Sequence, residues 1–113
     1  MTRKLIALCA ACMLLLVVSL PAMAQNTRSL QGQVVNGSES PIKGAVVYLK
    51  NTKTLAIRSF ISDNSGNYRF TSLSPNVDYQ VYAEFQGAKS DTKTLSSFDS
   101  RASATINLKV NSK

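Results

Sequence analysis

Past position 29, apolar residues recur at every second position in short runs, and no window sustains a 3.6-residue apolar period. Residues 45–50 (AVVYLK) set Ala45, Val47 and Leu49 inward against Val46, Tyr48 and Lys50 outward. Residues 79–85 (YQVYAEF) do the same with Tyr79, Val81, Ala83 and Phe85, and residues 104–110 (ATINLKV) with Ala104, Ile106, Leu108 and Val110. In residues 30–36, Leu30, Gly32 and Val34 share a face. Residues 55–62 put Leu55, Ile57 and Ile61 on one side, and in residues 68–73 Tyr68 and Phe70 flank Arg69. A shorter, more polar strand is read within residues 92–98. Turn clusters separate the runs, at residues 37–44, 63–67 and 74–76 and at Gly87. Half-buried strands in series must cover one face each. The expectation is an all-β fold: a seven-stranded antiparallel β-sandwich whose two inner faces make the core.

The first 24 residues follow another rule. Arg3 and Lys4 precede the uncharged run of residues 5–20, then come Pro21 and Ala22-Met23-Ala24. Basic, apolar and small-residue regions in that order read as a secretory signal peptide cleaved after Ala24. The run is short for a membrane-spanning helix, which needs about 20 residues. Cys12 follows Ala10-Ala11, as a lipid-attachment cysteine would, but it cuts the apolar run in half, so plain cleavage is read instead. The domain expected is therefore residues 25–113, exported to the periplasm or secreted, with no transmembrane segment after cleavage. Both cysteines, Cys9 and Cys12, leave with the signal, so packing and backbone hydrogen bonds carry the fold without a disulfide. Residues 25–29 and 111–113 read as short disordered tails. Without Arg3 and Lys4, 11 basic groups face 6 acidic ones, a net charge of +5. The basic residues are dispersed, which suits a solubilising surface that also guards strand edges. An exported chain with no basic run is not expected to bind nucleic acid.

Three stretches together resemble a known family. They are Leu30-x-Gly32-x-Val34 followed by Pro41-Ile42-x-Gly44-Ala45-x-Val47-x-Leu49; Ser62-Asp63-x-x-Gly66-x-Tyr68-x-Phe70; and Leu73-x-Pro75-x-x-x-Tyr79-x-Val81 closing on Gly87. They resemble the carboxypeptidase regulatory-like domain, a transthyretin-like (prealbumin-like) seven-stranded sandwich related to Cna-B-type modules. The resemblance covers residues 30–110 and implies a non-catalytic accessory module of secreted and envelope proteins. The middle stretch also has a reading of its own as a structural turn. Asp63 opens it by bonding the backbone two residues on, Gly66 adopts a conformation a β-carbon penalises, and Tyr68 and Phe70 bury two rings.

Catalytic chemistries find few parts here. The chain contains no His, the commonest general base and metal ligand. The urate-pathway hydrolases of the transthyretin-like type resemble a His/Arg site with a C-terminal Tyr-Arg-Gly-Ser, whereas this chain ends Val-Asn-Ser-Lys. Intradiol dioxygenases, another sandwich relative, use Tyr and His iron ligands. No serine lies in a G-x-S-x-G pattern. The carboxylates Glu39, Asp63, Asp78, Glu84, Asp91 and Asp99 are scattered, and Asp63-x-Ser65-x-Asn67 lacks the glutamate that closes a calcium loop. The isopeptide bond of Cna-B-type relatives needs a buried lysine on one strand, but residues 30–36 contain none, and Asn107 falls outward. No enzyme activity, cofactor or metal is expected.

Tyr48, Phe60 and Tyr82 fall outward by alternation and are the candidate binding face, if strand order brings them together. The function expected is an exported, non-catalytic interaction module binding a protein partner in the cell envelope or outside it. The alternative is a carbohydrate-binding module for envelope or external polysaccharide.

Overall fold

A computed structural model describes residues 27–111. The expected signal peptide, residues 1–24, lies outside the described residues. The described chain forms strands β1 (Arg28–Val35), β2 (Val46–Asn51), β3 (Ile57–Ile61), β4 (Asn67–Leu73), β5 (Tyr79–Phe85), β6 (Ala88–Lys89), β7 (Lys93–Leu95), β8 (Ser103–Thr105) and β9 (Leu108–Lys109). One sheet has the order β4-β1-β8, with β9 also on β1. The other has the order β3-β2-β5-β6, with β7 also on β5. Leu30, Val34, Tyr68, Phe70, Leu73, Ala104, Leu108 and Val110 from the first side meet Val47, Leu49, Tyr79, Val81, Ala83 and Leu95 from the second in one buried cluster. Each fully buried leucine there contributes about 1.5–3 kcal/mol by leaving water.

The all-β sandwich stands, but the strand count and direction are corrected. Nine segments arise because the last expected strand is interrupted and Ala88–Lys89 adds a segment ahead of the strand expected within residues 92–98. β6 and β7 are pieces of one edge, broken at Ser90, whose backbone N–H donates to the Ala83 carbonyl while its Oγ accepts the Ala83 N–H. β8 and β9 are pieces of the last strand, broken at Ile106-Asn107. Both run parallel to β1, so the sandwich is not wholly antiparallel. Alternation reports which face a side chain takes and carries no information on strand direction.

The break in the last strand depends on Gly32. A β-carbon there would lie 1.8 Å from the Ile106 carbonyl oxygen and 2.9 Å from Tyr68 Cε2. Into that space comes the Ile106 carbonyl, which accepts a hydrogen bond from the hydroxyl of the buried Tyr68. Asn107 Oδ1 then accepts the Gln33 backbone N–H at 3.0 Å, replacing the lost ladder bond. β4 carries a second irregularity. Its register with β1 jumps from Leu30↔Phe70 to Arg28↔Leu73, so Thr71 and Ser72 together oppose Ser29. The bulge, with Ser72 at φ 59°, turns both Phe70 and Leu73 inward although they are three residues apart.

Gly32→Ala forces main chain against main chain and costs more than about 3 kcal/mol, read by urea unfolding. Tyr68→Phe costs about 1–2 kcal/mol by orphaning the Ile106 carbonyl. Burial also pushes the Tyr68 hydroxyl above the ordinary tyrosine range. A folded-state value above the unfolded one leaves the stabilisation whole below about pH 10. It is lost as pH rises through the folded value, so alkaline unfolding is steeper in the native chain than in Tyr68→Phe.

Candidate functional site

The turn between β3 and β4 is built as a self-capping loop. Asp63 Oδ1 accepts the backbone N–H of Ser65 and of Asn67, both at 2.9 Å, and Gly66 stands at φ 76°. A β-carbon on Gly66 would lie 2.6 Å from the Val34 carbonyl oxygen, so this turn packs directly on β1. Tyr68 and Phe70 follow it into the core with ring centroids 6.0 Å apart. The Asp63 carboxylate therefore serves the backbone. Among the described residues no three His, Cys, Asp or Glu side chains come together as a metal site would require.

The three outward aromatics lie in one sheet, on β2, β3 and β5, but do not share a face. Tyr48 pairs with Tyr82 across the β2–β5 ladder, and their rings stack at 5.2 Å on the outer face. Phe60 pairs with the buried Val47, so it stands on the inner side, at the rim, 39% exposed. It meets Phe70 edge-on at 6.2 Å. The outward placement of Phe60 is thus corrected. Its partners explain the error: the residues of β3 that share the outer face with Tyr48 are Ile57, Ser59 and Ile61. Ile57 and Ile61 are 60% and 66% exposed. Alternation alone had set these two apart from the tyrosines, because it fixes no register between strands.

The outer face of this sheet is accordingly mixed. Lys89 Nζ stands 4.7 Å from the Tyr82 ring centroid. Tyr48, Lys50, Ile57, Gln80, Tyr82 and Thr92 border a shallow hollow of about 210 Å³. The outer face of the other sheet is polar and largely satisfied within itself. Gln31 Nε2 donates to Thr105 Oγ1, Ser103 Oγ donates to Gln31 Oε1, and Gln33 Nε2 donates to the Ser65 carbonyl.

Sequence reading missed Arg28, which it placed in a disordered tail. Arg28 is a β1 residue, 4% exposed. Its Nε donates to the Ser74 carbonyl at 3.1 Å, Nη1 to the Ser96 carbonyl at 2.7 Å, and Nη2 to the Val77 carbonyl at 2.6 Å. Its Cζ lies 5.9 Å from the centroid of Tyr79, whose hydroxyl accepts the Ser74 N–H. The signal was available: Arg28 extends the period of Leu30, Gly32 and Val34 by one inward step. Nearby, the Ser97 N–H bonded to the Asp78 carboxylate holds it below the usual range. The Arg101 guanidinium bonded to Asp99 takes that carboxyl down to about 2. Arg28, Ser97, Asp99 and Arg101 border a cleft of about 920 Å³. Its buried cation already spends its donors on backbone carbonyls, so the cleft is a tied loop end and not an anion site. Arg28→Met is expected to cost more than about 3 kcal/mol, because each orphaned buried acceptor costs about 1–3 kcal/mol. Arg28→Lys recovers less than about half of that, since an ammonium cannot fork to three carbonyls; thermal melts of both variants read the difference.

The fold and its surfaces define a transthyretin-like β-sandwich module. The chain matches the carboxypeptidase regulatory-like domain over residues 29–111 and belongs to that family. No curated protein matches its sequence. Among solved structures it is similar to catechol 1,2-dioxygenase from Acinetobacter sp. ADP1, with a TM-score of 0.60 and 13% identity over 82% of this chain and 55% of that one. It is also similar to the major pilin subunit of Bacillus cereus, with a TM-score of 0.57 and 16% identity over 76% of this chain and 30% of that one. A third likeness is the dioxygenase domain of a dioxygenase–carbohydrate-binding fusion from Streptomyces sp. SirexAA-E, with a TM-score of 0.55 and 12% identity over 80% of this chain and 83% of that one. The chain spans about half the length of the Acinetobacter enzyme. At these identities the likeness is one of fold.

Proposed function

We propose that this chain is an exported, non-catalytic interaction module that binds a protein partner in the cell envelope or outside it. The observation that carries the reading is the outer face of β3-β2-β5. There Ile57 and Ile61 stand exposed beside the Tyr48–Tyr82 stack, and among the described residues β3 ends the sheet with an unpaired edge. Exposed aliphatic side chains next to a free strand edge suit recognition by strand addition, in which main-chain bonds give affinity and alternate side chains give specificity. Export rests on the basic, apolar and small-residue order of residues 2–24. The non-catalytic reading rests on the family and on a sequence without histidine, despite a fold shared with dioxygenases.

One observation favours carbohydrate as a second reading. The hollow beside Tyr48 and Tyr82 sets Gln80, Thr92 and Lys50 around aromatic rings, and hydrogen-bonding groups beside π faces suit a sugar ring. Binding of the purified protein to isolated envelope from its own cell, before and after protease treatment of that envelope, separates the two. Loss of binding after protease is the expected result, with Ile61→Lys binding more weakly than the native chain. Binding that survives protease and falls with Tyr82→Ala instead assigns the face to polysaccharide.

A further inference from the structure

We infer that the free edge of β3 pairs with β3 of a second copy of this chain, antiparallel, about a two-fold axis through Ser59. The inference rests on the protein-binding reading above and names its partner. It begins with hydrogen-bond parity. Ser62 donates its N–H to the Ala45 carbonyl, and the Ala56 carbonyl accepts the Asn51 N–H. Residues 56, 58, 60 and 62 thus turn their main-chain groups to β2. Ile57, Ser59 and Ile61 turn theirs away from the sheet, where no strand among the described residues meets them. In an antiparallel ladder, residues whose groups face the partner form the hydrogen-bonded pairs. A two-fold at Ser59 makes all three such pairs at once: Ser59 with its own copy, and Ile57 with Ile61 of the other copy, twice.

The side chains agree with the backbone. Ile57 and Ile61 are the exposed aliphatics of this strand, equidistant from Ser59 on the same outer face. Opposed across the axis, each covers the other, and β-branched pairs are favourable cross-strand neighbours. A partner strand of unrelated sequence has no reason to match that spacing, whereas a second copy matches it by symmetry. The edge carries no lysine or proline, and its one inward-pointing charge, Arg58, is tied down within the chain. Natural edges carry lysine, proline or inward-pointing charge to prevent such pairing. The charged residue of β3, Arg58, shares the inner side with Leu49, and its Nη1 donates to the Thr71 carbonyl at 3.0 Å, with Cζ 5.6 Å from the Phe70 ring centroid. Arg58 therefore ties β3 to β4 across the mouth of the sandwich and leaves the outer edge neutral.

Sedimentation equilibrium of the protein as its cell processes it tests the pairing. A concentration-dependent dimer is expected, and a chain still monomeric at about 1 mM overturns the proposal. Ser59→Pro removes an N–H that faces away from the sheet, so it leaves the fold intact and abolishes the dimer. Ile57→Lys sets lysine against isoleucine twice and raises the dimer Kd at least about tenfold. Combining Ile57→Lys with Ile61→Glu faces opposite charges across the axis and restores dimerisation, which only this register can do. If the dimer persists in Ser59→Pro with an unchanged melting temperature, another surface forms it and the assignment fails. A monomeric native chain whose Ser59→Pro variant loses protease-sensitive envelope binding gives the edge to a foreign strand: self-pairing then falls and the protein-partner reading stands. A dimer that Ser59→Pro abolishes, in a chain whose envelope binding survives protease, does the opposite: self-pairing stands and the envelope-protein reading falls.

Discussion

The sandwich closes on the contact between a backbone and a missing side chain. At Gly32 the last strand departs from its ladder, and the Ile106 carbonyl moves over β1 to meet the Tyr68 hydroxyl. Three strands converge there: β1 supplies the empty space, β4 the donor, and the segment between β8 and β9 the acceptor. A polar group turned into an apolar core must be satisfied, and a buried tyrosine must donate. Each requirement answers the other. Tyr68 owes its depth in turn to the Asp63–Gly66 turn, which delivers β4 to β1 at a fixed register. The family-like stretch of sequence is thus a device for fastening the fold, with Asp63 committed to backbone amides.

Much of this core was legible in the residues. Ala45, Val47 and Leu49, like Tyr79, Val81 and Ala83, alternate cleanly because β2 and β5 are central strands with one buried and one half-buried face. Legibility failed where a strand was at an edge or was broken. β3 has little core beneath it, so its aliphatics follow no inward pattern, and Phe60 was assigned to the wrong side. The bulge at Thr71-Ser72 makes Phe70 and Leu73 co-facial, which no period of two allows. The interruption at Ser90 depends on a side-chain hydroxyl substituting for a backbone group, a substitution that composition does not announce. Parallel pairing of the first and last strands is a long-range matter that local alternation cannot encode.

The candidate site was half legible for the same reason. Tyr48 and Tyr82 could be read as outward, but their stacking required the β2–β5 register, and the isoleucines beside them required the β2–β3 register. Arg28 shows the opposite failure. A charged residue near an unpatterned terminus invites assignment to solvent, yet the β4–β5 turn and the loop after β7 turn carbonyls toward one point that only a guanidinium can occupy. Its burial anchors two loops at one end of the sandwich.

The parallel alignment of β8 and β9 with β1 also fixes where the chain enters and leaves. Arg28 stands at one end of the first sheet and Lys109 at the other, on neighbouring strands that point the same way. Tension applied between those two points acts along the strands, so the bonds joining β1 to β8 and β9, and the Asn107 link to Gln33, are strained together in shear and cannot be peeled open singly. A module arranged in this way resists stretching better than one whose ends leave from the same side, and it passes load straight through itself.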